Sequence, residues 1–160
     1  MEPFLRPASE SDANLLLQMM EEYYRFDGHA FDRPKASSAL LNFLRDPSFG
    51  RAWLICEQQI PVGYVVLTFG YSLEFLGRDA FLDEFYLRES HRGLGWGREA
   101  LEYVEEQARN LEIRSIHLEV VQENTAAKEF YRHRGYVAHR HSLMSKWIER
   151  RFPKPTSSSP

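Results

Sequence analysis

Two clusters in the middle of the chain have residue types and spacings that could do chemistry. The first lies in "HRGLGWGREALEYV", residues 91–104, where Gly93, Gly95 and Gly97 alternate with Leu94 and Trp96 between Arg92 and Arg98. Glycine weakens helices, yet a long amphipathic pattern begins directly after these three. Glycines crowded at a strand-to-helix junction suit a backbone that must approach something a Cβ would block. Free N–H groups and the positive end of the helix dipole at such a junction can hold an anion, and the two arginines add charge. A pyrophosphate is the natural ligand. The second cluster is Asp83 and Glu84, adjacent carboxylates in an otherwise apolar run over residues 80–87. Carboxylates so placed can serve as a general base.

The glycine spacing excludes the two commonest phosphate loops. A dinucleotide fold needs G-x-G-x-x-G, and a nucleotide-triphosphate loop needs Lys and then Ser or Thr after its last glycine. Here Gly97 is followed by Arg98 and Glu99.

The surrounding elements must position these clusters. A short strand is expected near residues 4–6. Ser9 with Asp12 three positions later resembles a helix start, and Ala13, Leu16, Leu17, Met20 and Tyr24 keep helical spacing. A second short helix is expected over residues 37–45. Two strand-like runs, "RAWLICE" and "VGYVVLTF", then precede the acidic run. The glycines lead into a helix to about Asn110, with Gly97, Leu101, Val104, Ala108 and Leu111 on one side. "SIHLEVV" alternates as a half-buried strand should. A further helix is expected from about Thr125 to Arg134, capped at Gly135, and residues to Trp147 can supply one or two more strands. The expectation is an α/β fold: a mixed sheet of about six to seven strands flanked by about four helices.

Composition narrows the class. The 160 residues are 43% hydrophobic and 27% charged, an ordinary globular balance for one domain, expected over 1–151. Net charge of −3 gives no basic face for nucleic acid. Cys56 stands alone, which excludes an intramolecular disulfide framework and fits a reducing compartment. No leader-like N-terminus and no apolar run of membrane-spanning length is present, so the expectation is a cytoplasmic protein without a membrane partner. The Pro- and Ser-rich tail over 152–160 is expected to be disordered.

"RGLGWG" resembles the (Q/R)-x-x-G-x-(G/A) coenzyme A loop of the GNAT superfamily of N-acetyltransferases. Upstream, "FLDEFYLRESH" looks like the strand that enters this loop. Downstream, "NTAAKEFYRHRGY" is similar to the family's N-x-x-A-x-x-F-Y-x-x-x-G-(F/Y) segment at every fixed position. The acidic pair most resembles spermidine/spermine-type small-amine acetyltransferases.

The resemblance implies acetyl-CoA as co-substrate, no metal, and direct attack of an amine on the thioester in a ternary complex. It implies that backbone groups of Phe85, Tyr86 and Leu87 flank the pantetheine, with the Leu87 N–H polarising the thioester carbonyl. It assigns the pyrophosphate to N–H groups of Arg92, Gly93, Leu94, Gly95, Trp96 and Gly97, and the coenzyme arm to Asn124. It makes Tyr131 the acid for the departing thiolate. Relatives are often dimers, so a homodimer is expected by analogy.

That chemistry needs a base, a carbonyl polariser and an acid. Strand alternation groups Asp83 with Phe81, Phe85 and Leu87, and Glu84 with Leu82 and Tyr86, so only one acid can face the acceptor. The resemblance ranks Asp83 first and Glu84 second. Tyr24, Asp27, Asp32, Tyr71 and Glu74, in loops mixing aromatics and acids, suit a cationic acceptor through Coulomb and cation–π attraction. Small amines come first as acceptors; protein N-termini or lysines, and a non-catalytic acyl-CoA-binding module, are the alternatives. Cys56 reads as a core residue, and His139 with His141 is too small a ligand set for a metal site.

Overall fold

The structure, a computed structural model, describes residues 4–148. The expected disordered tail and the end of the expected domain lie outside the described residues. Backbone contacts group the chain into two compact units that divide between Glu119 and Val120.

The first unit runs β1 (Phe4–Pro7), α1 (Ala13–Phe26), α2 (Arg33–Arg45), β2 (Gly50–Glu57), β3 (Ile60–Ser72), β4 (Gly77–Leu87), α3 (Trp96–Asn110) and β5 (Ser115–His117). The strands form one sheet in the order β1-β2-β3-β4-β5. The first four pair antiparallel, and β5 lies parallel to β4, so the sheet is mixed. The second unit holds α4 (Thr125–Arg132).

Five strands are found, slightly fewer than expected. Of "SIHLEVV" only three residues enter the ladder, and no strand follows β5 among the described residues. Alternation alone does not make a strand: without a paired edge its polar backbone stays with water. Val137, Leu143 and Met144 are accordingly exposed. Helix α2 begins four residues earlier than its apolar spacing indicated. The Asp32 carboxylate accepts a hydrogen bond from the Lys35 N–H at 3.2 Å, and Pro34 occupies the first turn, a strong start signal.

Helices α1 and α2 cover one face of the sheet. Leu16, Leu17, Met19 and Leu40 pack with Ala52, Leu54, Cys56, Tyr64, Val66 and Tyr86. The alternate residues Trp53, Ile55, Val65 and Leu67 are buried too, so the strands are covered on both sides and read as continuous apolar runs. Helix α3 presents Trp96, Ala100, Leu101, Val104 and Ala108 as a buried stripe. Cys56 is buried and free, and that burial pushes its thiol up, as a core residue requires.

The start of α1 is fixed by a partly buried ion pair. Asp12 takes both Arg6 guanidinium nitrogens at 2.7 and 3.0 Å and accepts from the Ser9 N–H at 2.9 Å. These bonds hold its carboxyl below the usual range. The contribution is therefore present above the unfolded carboxylate value and is lost as pH falls through the lowered folded one. Asp12→Ala is expected to cost about 2 kcal/mol at neutral pH, because it orphans both the arginine and the helix start. Denaturant unfolding across pH checks this: the difference from wild type should shrink in acid.

Candidate active site

The acidic pair sits at an irregularity in the β3–β4 ladder. Val66 pairs with Glu84, but the next residue, Leu67, pairs with Leu82, so Asp83 is an extra residue on β4. Directly opposed residues share a face, so Glu84 lies with Val66 while Leu82 lies with Leu67 on the other side. The alternation expected from sequence is thereby corrected: Glu84 keeps company with Tyr86 and Phe81, not with Leu82. A bulge flips parity, and bulges re-aim side chains beside functional sites.

Glu84 is held by two phenols. Tyr64 Oη donates to one carboxylate oxygen at 2.9 Å and Tyr24 Oη to the other at 3.1 Å. Tyr64 is fully buried, and desolvation drives its hydroxyl far up, so it remains a donor. Burial also raises the Glu84 carboxyl, against the lowering effect of the two hydrogen bonds. Asp83 is more open to solvent and accepts no hydrogen bond among the described residues, while partial burial raises its carboxyl. Tyr23, beside Asp27, Glu84 and Asp83, has its hydroxyl pushed up to about 12, chiefly by burial.

A buried carboxylate carries a stability cost that a neutral isostere lacks. Because the folded-state value for Glu84 is raised, ionising it disfavours folding, and stability falls as pH rises through that value. Glu84→Gln is expected to lift the melting temperature by a few degrees at neutral pH and to match wild type in acid. Calorimetric scans at the two pH values measure it.

Beyond the bulge, β4 has an open edge. The Arg88 N–H donates to the Val62 carbonyl at 2.9 Å, so Tyr86 and Glu84 share that direction toward β3. Phe85 and Leu87 then turn their N–H groups the opposite way, toward the side of β5. The β4–β5 pairing stops at Phe81 and His117, which leaves that edge without a ladder among the described residues. The Leu87 carbonyl accepts from Arg92 Nε at 2.7 Å. What the edge offers beside Leu87 is therefore its N–H.

The glycine segment follows as a turn into α3. Gly93 and Gly95 have φ of 73° and 88°, the left-handed region that glycine alone enters without strain. A Cβ on Gly93 would meet nothing within 4 Å, so conformation rather than crowding demands the residue. Gly97 lies in the first turn of α3 outside that region. Trp96 is buried against His91 with ring centroids 5.0 Å apart, and Leu94 is exposed. Arg98 pairs with Glu99 and Glu102. Arg92 turns back, its guanidinium 4.6 Å from the Phe26 ring centroid.

The residues expected to meet an acceptor divide. Tyr24 reaches Glu84, and Asp27 ends α1 beside Tyr23. Asp32 is committed to capping α2 and pairs with Lys35 at 2.9 Å. Tyr71 opposes Arg78, and Glu74 lies in the following turn. Five register steps on β3 separate Tyr71 from Val66, the partner of Glu84, about 17 Å along the strand, so these two are not brought to the acids. Sequence reasoning missed Tyr64, whose parity with Val66 in an apolar strand was the available signal. It also missed Glu22, which binds Arg88 through both carboxylate oxygens at 2.9 and 3.0 Å and ties α1 to the end of β4.

In the second unit, the Asn124 side chain accepts from the Ala127 N–H at 3.0 Å as the cap of α4. Tyr131 packs edge-on against Phe130 and Tyr136, at 5.1 and 5.5 Å. His139 and His141 stack on each other, and no group of three or more potential metal ligands occurs among the described residues.

A mixed sheet with a bulged acidic strand, an unpaired edge and a glycine turn at a helix start defines an acetyltransferase-type fold. The chain belongs to the acetyltransferase (GNAT) family, whose model matches residues 16–136, and the matched segment is an acetyltransferase domain. It is similar to an uncharacterized N-acetyltransferase, YycN, of Bacillus subtilis strain 168, with 34% identity over 59 residues. That match spans only 37% of this chain and 38% of the relative. Among solved structures, it resembles an integron cassette protein from the mobile metagenome of Cole Harbour Salt Marsh. Identity there is 32%, coverage 91% and 90% of the two chains, and the TM-score 0.81. A predicted acetyltransferase from Clostridium acetobutylicum, solved with acetyl-CoA, shares the fold at 16% identity, TM-score 0.74 and coverage of 90% and 96%.

Proposed function

We propose that the protein transfers an acetyl group from acetyl-CoA to the primary amine of a small cationic molecule, in the cytoplasm, by direct attack in a ternary complex. The observation that carries this reading is the bulge, which sets a free carboxylate, Asp83, beside a phenol-anchored one, Glu84, where β4 opens. In the proposed mechanism Asp83 takes the ammonium proton, directly or through water, and its raised value makes it a better base. Glu84 keeps the acceptor pocket anionic, and the aromatic rings of Tyr23 and Tyr24 suit a cation. The Leu87 N–H, directed along the open edge, polarises the thioester carbonyl. N–H groups of the 92–97 turn hold the pyrophosphate, and Asn124 holds the coenzyme arm in addition to capping α4. The paired acids also support the spermidine/spermine-type comparison among small-amine enzymes.

Tyr131 is assigned as the acid that protonates the departing thiolate. Tyr131→Phe removes only a hydroxyl, so coenzyme affinity and melting temperature should be retained. Single-turnover acetyl transfer should fall about 10-fold, the low end for acid catalysis. Measuring one turnover avoids masking by slow product release. A Phe variant that transfers at the wild-type rate would leave Tyr131 as a packing residue.

A further inference from the structure

A hollow lies on the sheet face that carries Glu84. Its volume is about 140 Å³, and Thr68, Gly70, Asp79, Phe81 and His117 line it. The register places these residues together. Along β3, Val66, Thr68 and Gly70 alternate onto one face, and they oppose Glu84, Phe81 and Asp79 in turn. His117 on β5 partners Phe81 and adds its ring to that face. Its Nε2 lies 3.4 Å from Asp79 Oδ2, and the ring stands edge-on to Phe75 at 4.6 Å.

Gly70 leaves room for the Asp79 carboxylate. A Cβ there would sit 2.6 Å from Asp79 Oδ1 and displace it. Two residues further along the register, at Gly77, a Cβ would meet Arg114 Cδ and Nε at 3.0 Å. Four residues separate Val66 from Gly70, which puts Asp79 about 13 Å from the Glu84 level of the strand.

We infer that this hollow is a distal subsite for a second cationic group of an elongated acceptor, whose reacting amine lies at the bulge. The inference rests on the amine-acetyltransferase reading above. Asp79 supplies the counter-charge, and Phe81 and His117 supply the flanking rings. The acceptor class it selects is a linear diamine or polyamine with ammonium groups about 13 Å apart.

Calorimetry on the full chain tests it with two probes, a linear ten-carbon diamine and the monoamine of equal chain length. The diamine should bind about 5-fold more tightly, the upper range for one half-exposed ion pair. Asp79→Asn, which is nearly isosteric, and Gly70→Ala, which turns the carboxylate aside, should each erase that preference and leave monoamine binding unchanged. Equal binding of the two probes to wild type, or a preference that survives both variants, overturns the subsite. The readout is separate from turnover. If wild type acetylates no amine, the acetyl-transfer reading falls, while the binding comparison still decides whether a diamine is held at Asp79.

Discussion

Asp83→Asn is expected to reduce acetyl transfer about 10²–10⁴-fold at neutral pH, the span of general-base catalysis, with coenzyme A affinity unchanged. The amide keeps the size of the carboxylate and its place in the bulge but cannot take a proton. The loss should be largest below neutral pH, where the acceptor is an ammonium, and should shrink in alkali as free amine accumulates. In wild type, the acidic limb of the pH–rate profile should lie above the ordinary carboxylate range, because burial raises Asp83. Glu84→Gln should act differently, weakening acceptor binding while stabilising the fold at neutral pH. Profiles of both variants that overlay wild type would remove the strand acids from the mechanism.

Gly97→Val is expected to weaken coenzyme A binding about 10²-fold in a variant that still folds. Gly97 sits in the first turn of α3 without a positive φ, so a side chain there imposes none of the backbone strain that a change at Gly93 or Gly95 would bring. What the valine does is stand between the turn's N–H groups and a pyrophosphate. Two charge-assisted hydrogen bonds of about 1.5 kcal/mol each account for the factor. Titration calorimetry alongside thermal unfolding separates this from general damage. Unchanged affinity in a folded variant would place the pyrophosphate elsewhere.

The legible parts of the sequence were those governed by local rules. The glycine turn, the span of α3 and the start of α4 at Thr125 follow from short-range spacing and dihedral needs, and the structure shows them where expected. The acids were legible as a pair but not in their orientation. Alternation assumes an unbroken pleat, and the register shift between Val66 and Leu67 depends on how β4 meets β3, a non-local fact. Tyr64 was hidden for the same reason. A tyrosine in an apolar strand reads as core, and only the fold brings its hydroxyl to a residue twenty positions away. Asp32 misled in the opposite direction, because an acid near aromatics suits both a cation site and a helix cap, and here the cap prevails. Alternation in "SIHLEVV" over-read its strand, of which three residues pair, and the further strands expected up to Trp147 are not found among the described residues.

The central claim is that the acetyl group passes directly from acetyl-CoA to a small cationic amine at the β4 bulge. The most direct measurement is the rate of thiol release from acetyl-CoA by the full chain, with each of a panel of small amines, a lysine-containing peptide and a peptide with a free N-terminus. The account predicts release that depends on small cationic amines, with the N-acetylated amine as product and loss of rate in Asp83→Asn. No amine-dependent release, or release with the peptides alone, would contradict it.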